Sequence, residues 1–380
     1  MNIYRFARPL LFQLDPEAAH DFAMSAAVLA SSSRRLCSVI GEQNAVEDDR
    51  LKTEVAGMIL SNPIGLAAGF DKSARAVPFL SALGFGHVEV GSISAEPSAG
   101  NARPRLFRLL KDEAIVVHYG LPNDGAEMVH ARLQGRQRSV PLGINIVSTN
   151  RNPVATNPTD DEVIDDYVRS VRRLHGSGDD RCLNLSCPNT REGRGFFHDR
   201  RRLHLLLQSL AEVGIVKPLF LKVAPFVDDN EIESLLDVID GSRFVSGFSV
   251  NLPSGKPMGL TTPASDLAQM PGAVSGRPCA AAADRTIAAL YRCMDRGRYK
   301  IIGSGGVFDA ADAYRKIRLG ASMVQLMTSL IYEGPGVVRT INRGLADLLA
   351  ADGFSHVVDA VGTGIASAAL PDFARKSALS

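Results

Sequence analysis

Residues 300–327, KIIGSGGVFDAADAYRKIRLGASMVQLM, contain two short apolar runs, KIIGSG and SMVQLM. Between them lie a Gly-rich stop and a segment, ADAYRKIRLG, with apolar residues at helical spacing and charges in between. Short apolar, β-branched runs bounded by glycine read as buried strands, and the middle segment reads as an amphipathic helix. Strand, helix, strand in that order implies parallel strands joined by a crossover helix. Working outward, the same rhythm recurs. Six more runs end in Gly, Asn, Ser or Pro: IGLAAG (64–69), HVEVG (87–91), LGINI (142–146), CLNLS (182–186), LFLKVA (219–224) and VSGFSV (245–250). Helix-like stretches such as 160–176 and 229–240 lie between them. Eight units predict an α/β fold, a closed (β/α)8 TIM barrel, rather than an open doubly wound sheet of about five or six strands.

Two segments fall outside this rhythm. Residues 1–40 read as a small N-terminal helical domain of two short helices, ahead of a barrel at 41–380. The first helix is basic and apolar, carrying Ile3, Phe6, Leu10, Leu11 and Phe12; the second, PEAAHDFAMSAAVLA, is Ala-rich. Residues 50–62 alternate around a glycine and read as a hairpin capping the barrel bottom.

Composition excludes several functions. A formal net charge of +1 argues against nucleic acid or another polyanion as partner. Five cysteines form no CxxC pair, which argues against a disulfide framework or zinc site and for a reducing compartment. No apolar stretch approaches the roughly 20 residues that span a bilayer. Arg5, Arg8, Pro9 and Asp15 interrupt the start, so it is no signal peptide. Its apolar residues and arginines suit an anionic membrane surface, or else a helix packed on the barrel.

In a barrel, residues after each strand line the C-terminal mouth, where active sites of this fold sit. Those places hold Asp71 and Lys72, Ser92, Asn145, then Asn184, Cys187 and Asn189, then Lys222, Asn251, the glycines 303, 305 and 306, and Met327 with Thr328. Asn and Lys dominate, without paired carboxylates or a His cluster. That set suits a planar, polar, electron-rich group; it does not suit glycoside hydrolysis or a metal. Glycines after strand seven, with Met327 and Thr328 after strand eight, match the usual barrel phosphate site, a bare turn being the plainer reading. Lys222, inside PLFLKVAP, is costly to bury without a partner. Cys182 reads as core. Cys187, at the strand's C-terminal end, is either a reacting group or a small buried residue.

The motifs LLFQLDPEAAH, NPIGLAAGFDK, GNARPRLFRL, LGINI, NLSCPNT, LKVAP, SGRP, IIGSGGV and GASMVQL together give a specific likeness. Over about residues 4–364 the chain resembles the dihydroorotate dehydrogenase family, in its membrane-associated, quinone-reducing class. The resemblance implies an FMN-containing barrel. Ala68, Gly69, Lys72, Ser92, Asn145, Asn184, Lys222 and Val250 would surround the flavin, with Gly276, Gly306, Met327 and Thr328 around its phosphate. Lys72, Gly120, Leu121, Asn184, Asn189 and Asn251 would hold the pyrimidine. Cys187 occupies the base position, with Lys72 beside it. His20 and Arg108 match positions beside a quinone tunnel. The implied activity is oxidation of dihydroorotate to orotate in pyrimidine biosynthesis, by a monomer resting on the cytoplasmic side of the inner membrane.

Four positions depart from the family pattern. Cys187 stands where the quinone class has Ser and resembles the soluble class, which uses fumarate or NAD. Val117 replaces a substrate-binding Asn, and His118 follows it in place of Arg. Leu252 and Pro253 replace two threonines after Asn251, and Met327 replaces a Tyr. Each polar group lost from a substrate pocket costs about 1–3 kcal/mol. The flavin contacts are thus better kept than the substrate contacts. That leaves open a paralogous FMN oxidoreductase acting on another small carboxylated or cyclic-amide substrate. A Schiff-base role for Lys222, or flavin binding without catalysis, also stays open.

Overall fold

A computed structural model describes residues 4–365 apart from 137, 152–157, 188–197 and 227. The opening stretch behaves as its pattern predicts. Strand Lys300–Gly303 ends in a turn with Gly305 and Gly306 at positive φ. Asp309 then caps a helix, Ala310–Arg318, by accepting from the Asp312 N–H. Gly320 at φ +116 turns the chain into strand Met323–Leu326; a Cβ there would strike the Tyr291 ring at 2.4 Å.

The strands in chain order are β1 (Thr53–Val55), β2 (Met58–Leu60), β3 (Ile64–Leu66), β4 (His87–Ile93), β5 (Leu106–Leu109), β6 (Ala114–Val117), β7 (Leu142–Ile146), β8 (Asp180–Asn184), β9 (Leu219–Val223), β10 (Val245–Val250), β11 (Ala273–Gly276), β12 (Lys300–Gly303) and β13 (Met323–Leu326). Eight of them close in the order β10-β12-β13-β3-β4-β7-β8-β9. All eight are the runs read from the sequence. The antiparallel hairpin β1–β2 plugs the bottom, where Val55, Met58 and Leu60 pack on Cys182, Phe220, Ile302 and Met323. Burying each such side chain stabilises the fold by about 1.5–3 kcal/mol. Cys182 is core as expected, although it is the third residue of its strand rather than the first.

The N-terminal segment departs from the expected two helices. It forms three: α1 (Tyr4–Leu11), α2 (Pro16–Ser31) and α3 (Arg34–Asn44), so helix continues past residue 40. Asp15 caps α2, and Ser33 caps α3. The sheet β5–β6–β11 was also not anticipated. It is antiparallel and assembled from insertions after β4 and β10. Together with α1 and α2 it forms a roof over the barrel mouth. Tyr4 Oη donates to the Ile331 carbonyl at 2.5 Å, and Arg8 to that of Tyr332 at 2.9 Å. These bonds dock α1 on the helix that follows β13. Among the described residues, no helix is long and apolar enough to cross a membrane.

Candidate active site

The loop after β3 is organised by Asp71, which is fully buried and accepts from the backbone N–H groups of Ser73, Arg75 and Ala76. Asp71 is therefore a loop-former, and it presents its neighbour Lys72 to a cavity of about 590 Å3. That cavity runs from Asn184, Cys187, Lys222 and Asn251 at the barrel mouth, past Lys72, to the apolar faces of α1 and α2. Of the residues expected to act, Ala68, Gly69, Lys72, Ser92, Gly120, Leu121, Asn184, Cys187, Lys222, Asn251, Met327, His20 and Arg108 all border it. Asn145 and Val250 are fully buried. The first stands behind Ser92, and the second offers its carbonyl to Ser304 Oγ. Asn189 lies outside the described residues.

At the mouth the amides interlock. Asn184 Nδ2 donates to Ser92 Oγ at 3.1 Å, and Ser92 Oγ donates to Asn145 Oδ1. Asn251 Nδ2 donates to Asn184 Oδ1 at 3.4 Å and to Ser186 Oγ at 3.2 Å. Cys187 is 4% exposed and in no disulfide, three residues beyond the end of β8.

Towards the helices the cavity changes character. The Lys72 ammonium lies 3.4 Å from His20 Nε2 and 4.0 Å from the centre of the Tyr119 ring. Burial pulls its pKa down to about 8, with Asp71 and Glu17 opposing, so it remains largely charged at neutral pH. Burial, then Lys72, push His20 down to about 3, leaving its ring neutral. Arg108 donates to the Leu14 carbonyl at 2.9 Å and covers the Phe12 ring at 4.7 Å. Val117 belongs to an apolar cluster with Leu106, Ile115, Phe12, Tyr119 and Met327. Tyr119 was not singled out in the sequence. It lies between two cations, Lys72 and Arg105, an arrangement that depends on tertiary contact and leaves no local signal.

A second, smaller cavity of about 80 Å3 is bordered by Ala68, Lys222, Gly276, Gly305, Gly306, Met327 and Thr328. Gly276, Gly305 and Gly306 all have positive φ, and a Cβ on Gly306 would meet Ala280 Cβ at 2.7 Å. Glycine is required here by backbone shape, which exposes N–H groups as a phosphate cradle does. The donor set also fits a flavin: an ammonium from Lys222, amides and hydroxyls for a polar ring, and a glycine cradle for its phosphate. Among the described residues, no cluster of His, Cys, Asp or Glu is placed to hold a metal ion.

Comparison with known proteins agrees with this geometry. The sequence profile of dihydroorotate dehydrogenase matches residues 50–349. The chain is 40% identical over 366 residues to dihydroorotate dehydrogenase (quinone) of Natronomonas pharaonis, covering 96% of this chain and 100% of that one. It is 39% identical over 366 residues to the Rhodospirillum rubrum protein of the same name, covering 94% of each. The crystal structure of DHODH from Eimeria tenella in complex with ferulenol superposes with a TM-score of 0.79 at 31% identity, covering 92% of this chain and 95% of that one. Its ligand-free form gives 0.79 at 32%, with 92% and 99% covered. The chain belongs to the dihydroorotate dehydrogenase family.

Proposed function

We propose that this chain oxidises dihydroorotate to orotate, with FMN as its redox group and a quinone as electron acceptor, in pyrimidine biosynthesis. One observation carries the reading: a single cavity joins a polar amide-and-thiol end to an apolar end walled by N-terminal helices. Each half has its task. Asn184 and Asn251, with Asn189, Gly120 and Leu121, hold the cyclic amide, and Lys72 meets its carboxylate. Cys187 takes the proton from the carbon beside a carbonyl, its thiolate being the form that accepts a proton. FMN, when bound, supplies hydride acceptance and electron transfer onward. Lys222 sets a positive charge beside the place where negative charge builds. Ala68, Gly69, Ser92, Asn145 and Val250 shape the ring site, and Gly276, Gly306, Met327 and Thr328 the phosphate site.

At the other end His20 and Arg108 face the quinone. Phe6, Leu10, Leu14, Phe22 and Leu29 on and beside α1 and α2 are exposed. Those apolar side chains support peripheral contact with a membrane; the chain acts there as a monomer on the cytoplasmic side of the inner membrane, where a lipid-soluble quinone enters between the helices. A second reading, a related CH–CH oxidation of another small carboxylated or cyclic-amide substrate, is favoured by Val117 and Leu252, which give the cavity wall apolar groups.

The acceptor is tested by turnover with dihydroorotate and quinone, fumarate or NAD offered in turn, following orotate by its ultraviolet band. Quinone alone should sustain turnover. Activity with fumarate or NAD and none with quinone would place the chain with the soluble enzymes that its Cys187 resembles.

A further inference from the structure

Glu89, in the third position of β4, is 1% exposed and takes no part in the roles above. Its Oε1 accepts from Asn145 Nδ2 at 2.7 Å, and its Oε2 from the Ala68 backbone N–H at 3.4 Å. Asn145 Oδ1 accepts from Ser92 Oγ, Ser92 Oγ accepts from Asn184 Nδ2, and Asn184 Oδ1 accepts from Asn251 Nδ2. Every donor in this chain therefore points the same way, from Asn251 at the cavity inward to one carboxylate. A run of amides and a hydroxyl can be ordered in either direction, because each member both donates and accepts. An ionised carboxylate only accepts, so placing one at the inner end permits a single direction.

We propose that Glu89 is a positioning residue: it fixes the hydrogen-bond direction of the Asn145–Ser92–Asn184–Asn251 array and balances the buried charge of Lys222. The inference rests on the reading that this array holds a ring substrate against FMN. The groups facing Glu89 support it. Burial alone would raise its pKa; Lys222, the Asn145 N–H and His87 outweigh that and hold the carboxyl below its usual range. Cys182 on β8 also lies close enough for Glu89 to help push its thiol up, after burial. With the direction fixed, the second N–H of Asn184 is left for a ligand carbonyl. The Ala68 N–H, tied to Oε2, holds the loop that borders both cavities.

Two variants of the full-length, FMN-loaded protein separate the parts. Glu89→Gln keeps the shape but both donates and accepts, so it removes the charge and frees the direction; Glu89→Leu removes the hydrogen bonds as well. Glu89→Gln should raise the KM for dihydroorotate about three- to tenfold, since an amide no longer fixes the direction, while the flavin midpoint potential moves to more positive values. Glu89→Leu should lose about 10- to 100-fold in kcat/KM, chiefly through KM, and bind FMN about tenfold more weakly. An unchanged potential in Glu89→Gln would overturn the charge balance. An unchanged KM in Glu89→Gln, or unchanged substrate and FMN constants in Glu89→Leu, would overturn the array. Wild-type protein serves as the control. If dihydroorotate does not reduce it, the functional reading fails separately, and Glu89 is judged on the potential and the FMN dissociation constant.

Discussion

Replacing Glu17 by alanine should loosen α2 from the barrel and impair the quinone half of the reaction before the pyrimidine half. Glu17 is 5% exposed and accepts from Arg105 Nη2 at 2.8 Å and Nε at 3.1 Å, with Arg103 Nη2 at 2.9 Å. Arg105 is buried too. Breaking a buried pair by removing one partner costs about 3–5 kcal/mol, because the other charge stays behind. Arg105 would keep its bonds to the Ala99 and Asn101 carbonyls at 2.7 and 2.8 Å, which argues for the lower end, about 3 kcal/mol. If the loss acts on global unfolding, melting falls by roughly 3–6 °C for a domain of this size. If it acts only on α2, the ratio of docked to undocked helix falls by about two orders of magnitude at 1.4 kcal/mol per decade. The assay pairs thermal unfolding with two rates, anaerobic reduction by dihydroorotate and reoxidation by quinone. Glu17→Ala should raise the quinone KM at least severalfold while flavin reduction keeps within twofold of wild type. A melting temperature within 1 °C of wild type, together with an unchanged quinone KM, would refute the claim that this pair seats the roof of the tunnel.

Further expectations concern the thiol, the barrel floor and the pocket wall. Cys187→Ala should keep FMN but abolish reduction by dihydroorotate, whereas Cys187→Ser should retain some rate with a more alkaline profile; wild-type rates in the alanine variant would reduce Cys187 to packing. His87 Nε2 sits 2.8 Å from Asp180 Oδ1, both 1% exposed. Burial alone would lower its pKa, but Asp180 overrides this and raises it above 6.5. Its stabilisation is therefore full below pH 6.5 and lost as pH rises through the raised value; His87→Gln should flatten that alkaline slope in urea melts, and a parallel slope would contradict it. The double change Val117→Asn with Leu252→Thr should tighten orotate binding at least tenfold by titration if both walls face the ring, and no change would clear them of that role.

The eight barrel strands were legible because each is a short apolar run closed by glycine, proline or a polar residue, and parallel strands covered on both faces have that apolar composition. For the same reason the polar ends stood out: Asn184, Lys222 and Asn251 interrupt apolar text and do border the cavity. Other features leave no such mark. The helix α3 has no fully buried residue and follows α2 after only Ser32 and Ser33, so its apolar Leu36, Val39 and Ile40 are not set apart from α2 by any loop-like stretch. The strands β5, β6 and β11 are four residues each, and β11 pairs with β6 from beyond β7, β8, β9 and β10 in the sequence. Glu89 sits within HVEVG, where one carboxylate looks like a lapse in a buried strand until its partners on β7 and β9 are seen. Cys187 sat between these cases: its position at the end of β8 could be read, but only the folded barrel places it on one cavity with Lys222 and Asn251.

The most direct measurement is anaerobic addition of dihydroorotate to the FMN-loaded protein, watching the visible absorbance of oxidised flavin. The absorbance should fall to the reduced level at or below millimolar substrate and return when quinone is added. A spectrum that stays oxidised with dihydroorotate, in protein whose flavin is readily bleached by dithionite, would contradict the assignment and favour another substrate for the same site.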